Sequence, residues 1–292
     1  MGGERSIETS ATPSGTTLAN RQDEINRAVY YSPRVYRSYL AESLTAAESS
    51  CLSKYRLHIE HKDVLDIGVG AGRTARYLAP LARRYEAVDY SPVMVDYVKR
   101  TMPQISVRQA DFRELTVFAD QSFDFILATD NVIDALSHSD RMRALGEASR
   151  LLRFGGVLAF SSHNLRYKKA FSGPRLLWSW NPVRLAANCV GYVLSMWNYR
   201  RVAPLRTATS EYALLNDPGH RYACLHYYAA RSTVSSQLES AGLSCIDAFD
   251  RSGRPLVESA DDSEISSILY VAERPRNVWQ SVTGSTVTAS KP

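Results

Sequence analysis

The stretch VLDIGVGAGRTARYL, from Val64 to Leu78, constrains this chain more than any other. A short apolar run, DVLDIGV, ends among glycines at 68, 70 and 72. It leads directly into TARYLAPLARR, where Ala75, Leu78, Leu81 and Ala82 share one helical face. A buried strand that turns through glycine into a helix opens a βα unit, and glycine lets the backbone come close to a ligand at that turn. Spacing excludes two ligands common there. A phosphate-cradling G-x-x-x-x-G-K-[ST] loop counted from Gly68 finds Arg73 and Thr74 in its glycine and lysine places. A dinucleotide G-x-G-x-x-G loop finds Arg73 where its third glycine must let helix press on sheet. The acid two residues ahead of the first glycine, Asp66, suits a cationic ligand group better than a pyrophosphate.

The rhythm continues downstream. Strands are predicted at 63–69, 85–91, 105–111, 123–130 and 155–163, with helices over 74–84, 92–102 and 139–152 between them. Pro92 stands at a helix start, where its missing N–H costs nothing. Strands alternating with helices of this length predict an α/β fold, a parallel sheet wound on both faces. After Asn164 the rhythm stops for about sixty residues. It resumes with a strand at 223–229, a helix at 232–242 and strands at 243–250 and 266–273. Residues 34–57, with a Tyr-rich start, read as one or two helices. The predicted division is a disordered tail (1–20), an N-terminal helical segment (21–60), an α/β core (61–163), a cap insertion (164–222), the returning core (223–275) and a second disordered tail (276–292).

Four motifs in this order resemble the class I S-adenosylmethionine-dependent methyltransferases, over about residues 30–165. Asp66-Ile-Gly68-Val69-Gly70-Ala-Gly72 matches the family's first motif. Asp89, at the end of the second strand, matches its ribose-binding acid. QADFRE matches its third motif, and LLRFGGVLAFSS its turn before the fifth strand, with Phe154 where proline is usual. The resemblance implies a seven-stranded, doubly wound, mostly parallel sheet and S-adenosyl-L-methionine as cofactor. It implies cofactor contacts from Tyr36, Asp66, Gly68, Val69, Gly70, Asp89, Tyr90, Met94, Ala110, Asp111, Phe112, Thr129, Asp130 and Asn131. Asp111 would hold the adenine amine and the Phe112 N–H would donate to the ring. Tyr30, Tyr31, Tyr36 and Tyr39 would close over the cofactor.

Ligands of open α/β sheets lie beyond the carboxyl ends of the strands, which puts Asp134, His163 and Asn164 near the transferred methyl. His163 is the first candidate general base and Asp134 the second; Tyr31, Asn164, His226 and Tyr228 are candidate acceptor contacts, and no metal site is expected. ATDNVIDAL lacks the Pro-Pro-aromatic signature of base-amine methylases, so no nucleic-acid acceptor is expected. DNVID and SSHN resemble bacterial enzymes acting on saccharides and other small acceptors. The expected activity is methyl transfer to a small molecule, saccharide or peptide, at a hydroxyl or carboxylate oxygen. A small-amine N-methyltransferase and a non-catalytic cofactor-binding scaffold are the alternatives. His138 and His220 read as solvated turn residues.

Charge is concentrated in the insertion. Between Asn164 and Ser210 lie eight Lys and Arg and no acid, in a chain whose formal net charge is +5, so the remainder is net negative. The same stretch holds Trp178, Trp180 and Trp197, on helices expected to break at Pro182. Basic and aromatic residues over a site mouth suit an anionic, partly apolar or lipid-linked acceptor, and equally a peripheral contact with a membrane. The N-terminus has no apolar signal segment, and the scattered Cys51, Cys189, Cys224 and Cys245 read as reduced thiols, so a cytoplasmic protein is expected.

Overall fold

The structure is a computed structural model and describes residues 15–32 and 43–276, with side chains described from residue 19 onward. Five strands form the parallel core: β1 (Asp63–Ile67), β2 (Arg84–Asp89), β3 (Ser106–Gln109), β4 (Phe123–Ala128) and β5 (Leu152–Asn164). Their spatial order is β3-β2-β1-β4-β5. The last two strands of the chain, β9 (Ser244–Phe249) and β10 (Ser267–Glu273), complete seven. β10 runs antiparallel along Val157–His163 of β5, and β9 runs antiparallel along β10. These seven make the α/β fold expected, with β10 reversed among them; three further strands between β5 and β9 extend the sheet to ten instead of the seven expected.

Alternation along the strands builds two cores. In β4, Ile126 and Ala128 face one layer while Phe125 and Leu127 face the other; in β5, Leu158 and Phe160 oppose Val157 and Ala159 in the same way. The first layer is closed by Ala144, Leu145 and Ala148 of α5 (His138–Leu151) and by Val234 and Leu238 of α7 (Arg231–Ser240). The second is closed by Ala47 and Cys51 of α2 (Ala46–Lys54) and Leu78 of α3 (Ala75–Leu78). Val95 and Val98 of α4 (Pro92–Thr101) pack on the same side, against Ala87 and Val107. β1 is buried along its whole length, as a central parallel strand covered on both faces must be.

Three local readings change. The helix predicted over 74–84 is only α3, because Pro80 withdraws an amide from the hydrogen-bond ladder. Helix α1 spans Gly15–Tyr30, so helical structure begins inside the stretch read as a disordered tail. Tyr36 and Tyr39 lie outside the described residues, as does the predicted C-terminal tail after residue 276. Pro182 does not break a helix: it opens α6 (Pro182–Val202), with the Asn181 side chain accepting from the Val183 and Arg184 amides.

The insertion returns to the sheet. After α6 come the short strands β6 (Thr207–Ala208) and β7 (Tyr212–Leu215), antiparallel to each other, and β7 pairs antiparallel with β8 (His226–Ala229). β8 pairs in parallel with only His163 and Asn164 of β5. Since β10 already holds one edge of His163, β8 takes the other, where β4 has ended. The extension therefore carries His226 and Tyr228 to the end of β5. No helix among the described residues is long and apolar enough to cross a membrane.

Candidate functional site

Two cavities meet beyond the carboxyl ends of the parallel strands. The narrower is walled by Gly68, Val69, Gly70, Asp89, Tyr90, Met94, Ala110, Asp111, Phe112, Thr129 and Asp130, so these predicted cofactor positions converge. The wider, of about 1070 Å³, is lined by Asn131, Ser161, His163, Asp217, His226 and Tyr228 and roofed by α6 through Asn188, Gly191, Tyr192 and Ser195. Tyr30, Thr129 and Asp130 line both, so a group held in one can reach the other there.

The glycine turn is shaped for close approach. Gly68 has φ +72°, and a Cβ there would stand 2.4 Å from a Val132 methyl, so only glycine fits. Gly70, at φ +54°, donates its N–H to Asp89 Oδ2 at 2.8 Å, and the Ser91 N–H reaches Asp89 Oδ1 at 2.8 Å. Burial pushes the Asp89 carboxyl up to about 6 against the pull of those amides. The narrow cavity is apolar at Ile67, Val69, Met94, Phe112 and Leu136 and acidic at Asp23, Asp89, Asp111 and Asp130. Its two arginines are already paired, Arg73 with Glu48 and Arg113 with Asp111, Asp140 and Asp23. Such a lining suits a nucleoside bearing a sulfonium and an ammonium and repels a pyrophosphate. Asp89, whose oxygens still have lone pairs beyond the Gly70 and Ser91 amides, could accept from the ribose diol of such a group, which would supply an activated methyl.

Several predicted residues do other work. Asp66 does not line the cavity; its Oδ2 accepts from Thr74 Oγ1 at 2.5 Å and Tyr85 Oη at 2.7 Å, so it braces the strand–helix turn from beneath, and burial pushes it up to about 6. Asp111 lines the cavity, but its carboxylate is held by Arg113 through Nε at 2.9 Å and Nη2 at 2.6 Å. Burial pushes that carboxyl up, and the Arg113 bonds outweigh it, leaving it below its ordinary value. An adenine amine would share Asp111 with Arg113. Tyr31 is not an acceptor contact: its hydroxyl donates to the Tyr90 carbonyl at 3.1 Å, on the cofactor side. Asn164 is fully buried and donates to the carbonyls of Asp262 and Ile265, tying β5 to the loop before β10.

Asp134 is also reassigned. At 0% exposure it cannot meet an acceptor. Its Oδ2 accepts from the His163 amide at 2.6 Å and lies 2.7 Å from His163 Nδ1, while its Oδ1 accepts from Arg141 Nη1 at 2.6 Å and Ser162 Oγ at 2.7 Å. It orients His163 instead. On the far side of the ring, Asn131 Nδ2 lies 3.1 Å from His163 Nε2, and Asn131 Oδ1 accepts from Ser267 Oγ. With the Asp134 carboxylate accepting at Nδ1, the Asn131 amide can donate to Nε2, and Asp217 Oδ2 lies 3.6 Å from that same nitrogen. Asp130 and Asn131 both adopt left-handed backbone (φ +58° and +57°), strain at the point where strand four hands its residues to the cavity.

A second histidine–carboxylate pair abuts the first. His226 Nδ1 lies 2.8 Å from Asp217 Oδ2, which also accepts from Tyr228 Oη at 2.8 Å, and the His226 and His163 rings stack at 5.3 Å. Burial lowers the His226 pKa, but Asp217 outweighs it and the net shift is upward; Asp217 itself is held well below the usual carboxylate range. His163, Asp217 and His226 are the one metal-compatible group among the described residues, their donor atoms within 4.8 Å of one another. The nitrogens those histidines would offer are already engaged, His226 by Asp217 and Tyr30 and His163 by Asp134 and Asn131.

Sequence reasoning missed Asp217, Arg141, Glu48 and Arg73. Arg141 had a signal: it precedes Ala144, Leu145 and Ala148 on the apolar face of α5, where a charge needs a buried partner. Asp217, in a polar turn, had none. The expectation that His138 and His220 are solvated is overturned: His138 stacks on Tyr212 at 4.5 Å and bonds Tyr227, and His220 lines the wider cavity, where burial pushes its pKa down to about 4.

The sequence pattern described as a methyltransferase domain matches residues 64–156. A probable S-adenosylmethionine-dependent methyltransferase of Mycobacterium tuberculosis is 37% identical over 103 residues, 35% of this chain and 36% of that protein. A fatty-acid O-methyltransferase of Mycolicibacterium smegmatis is 30% identical over 159 residues, covering 53% of this chain and 50% of that one. The chain thus spans only about a third to a half of these relatives' length. Among solved structures, the Burkholderia thailandensis 1,6-didemethyltoxoflavin-N1-methyltransferase, with bound 1,6-didemethyltoxoflavin and S-adenosylhomocysteine, has a TM-score of 0.54. It is 15% identical, covers 93% of this chain and 94% of its own, and shares the fold.

Proposed function

We propose that this chain, whose residues 64–156 match the methyltransferase domain of S-adenosylmethionine-dependent relatives, methylates a hydroxyl of a small anionic acceptor held beneath α6. The observation that carries this reading is the Asp134–His163 pair, with His163 at the wall of the wide cavity. Methyl transfer is an in-line displacement, so the protein's part is to place the nucleophile and take its proton. The bound cofactor would supply a methyl from its sulfonium and be left as a neutral thioether, while His163 Nε2 would take the proton of the acceptor hydroxyl. Asp134 balances the imidazolium, and Arg141 and Ser162 keep that carboxylate in place. The acceptor hydroxyl takes the place of the Asn131 amide at Nε2.

Lys169, Arg175, Arg221 and Arg251 line the same cavity and favour an acceptor that carries negative charge. They also support a second reading, methylation of a carboxylate, which needs no base; the O-methylating relative named for fatty acids is compatible with it. One variant separates the two. With a hydroxyl acceptor, His163→Ala should lower turnover by about a hundredfold to ten-thousandfold, the usual worth of a general base, with cofactor binding by calorimetry nearly unchanged. Full turnover in that variant would move the reading to a carboxylate acceptor.

A further inference from the structure

Helix α6 has two faces with different surroundings. Asn188, Gly191, Tyr192 and Ser195 look into the wide cavity. Val183, Val190, Leu194 and Trp197 recur at spacings of seven, four and three residues on the opposite side and are exposed. Val202 is the only buried residue in all 21 of the helix. The loop leading into it adds Trp178 and Trp180, edge to face at 6.1 Å, with Trp180 92% exposed. An apolar surface of this extent marks an interaction site.

Charge identifies what covers it. Between Asn164 and Ser210 every charged side chain is cationic. A second copy of this chain pairing through the outer face of α6 would set two all-cationic segments against each other with no acid there to meet them. Tryptophan flanked by arginine, on a helix too polar to span a bilayer, is instead the composition of an element lying in a lipid–water interface. We propose that Trp178, Trp180 and the outer face of α6 dock the protein on an anionic lipid surface. The aromatic and aliphatic groups enter the headgroup layer, and Arg200 and Arg201, the latter 4.8 Å from the Trp197 ring, meet the phosphates. The roof of the acceptor cavity is then the membrane-contacting element, and this holds whichever oxygen is methylated.

The test is co-sedimentation of the full chain with phosphatidylcholine vesicles, with and without about 30% phosphatidylglycerol, at low and high salt. Binding should require the anionic lipid and weaken at least about fivefold at high salt, as exposed charge pairs do. The variants Trp178→Ser/Trp180→Ser/Trp197→Ser and Arg200→Gln/Arg201→Gln should each lose binding while S-adenosylmethionine titration confirms a folded core. Absence of binding to anionic vesicles, or equal binding to neutral ones, overturns the proposal. So does a dimer in sedimentation equilibrium that the tryptophan variant dissociates, which would assign the face to a second copy. None of these readouts needs turnover, so they stand apart from a failure of the acceptor reading.

Discussion

Asp89 carries opposite consequences for binding and for stability. Its ionised carboxylate is the form that would accept from a ribose diol under the proposed function, and its pKa is pushed up to about 6 from an ordinary value near 3.9. Cofactor affinity should therefore hold above pH 6 and fall about tenfold by pH 5, one pH unit below that pKa. Stability linkage has the other sign. A raised carboxyl favours the protonated folded state, so the contribution of Asp89 to stability is greatest below pH 4 and is lost as pH rises through about 6. Asp66, pushed up by the same burial, adds in the same direction. Calorimetric titrations between pH 5 and 8 would check the affinity, and Asp89→Ala should weaken binding at neutral pH by about 1.5–3 kcal/mol. Unchanged affinity in that variant would remove the assignment of Asp89 to the ribose.

At the scale of elements, the decisive joint lies between α5 and the end of β5. Arg141 leaves α5 fully buried, donates to Asp134, Gln237 and Ser162, and stands over the Tyr227 ring at 4.7 Å. It therefore ties α5, α7, β5 and β8 to the carboxylate that orients His163. Arg141→Met should cost about 3–5 kcal/mol in denaturant unfolding, because it strands Asp134 as a buried unpaired charge. The double variant Arg141→Met/Asp134→Leu, which removes both charges, should recover much of that stability. Its turnover should stay low, since His163 would have lost its orienting partner. A double variant no more stable than the single one would place the cost in packing rather than charge.

Over the whole molecule, α1 binds together parts of the chain that are far apart in sequence. The Asn26 amide donates to the carbonyls of Ala135 at 2.9 Å and Leu225 at 2.8 Å, and its oxygen accepts from the Leu225 N–H at 2.9 Å. This places Tyr30 where the two cavities meet, with its hydroxyl 3.0 Å from His226 Nε2. Asn26→Ala leaves a buried amide and two carbonyls without their partner and should destabilise the protein by about 1–3 kcal/mol. Because the same bonds position the wall shared by both cavities, cofactor affinity should fall as well. Thermal melting with and without S-adenosylmethionine would read both; a lower melting temperature with an unchanged ligand-induced shift would confine α1 to a structural role.

What the sequence determined by itself was whatever local periodicity and spacing encode. The alternation of Ile126 and Ala128 with Phe125 and Leu127, the helical stripe of α5 and the glycines at 68 and 70 announced a covered parallel sheet and a close-approach turn. They also located Asp89 and His163, which end strands, since strand ends are where open sheets bind ligands. What only the tertiary structure decided was the partner of each polar side chain. Asp66 read as a ligand for a cation and is a brace for the turn, because Thr74 and Tyr85 reach it first. Asp134 read as a base and became the orienting carboxylate, because Arg141 and Ser162 enclose it. Asp217 and His226 meet His163 only because the insertion folds back as β8 on the edge of β5 that β4 leaves open. Burial of apolar faces follows from residues three, four or two positions apart. The pairing of buried charges depends on which distant segments those burials bring together.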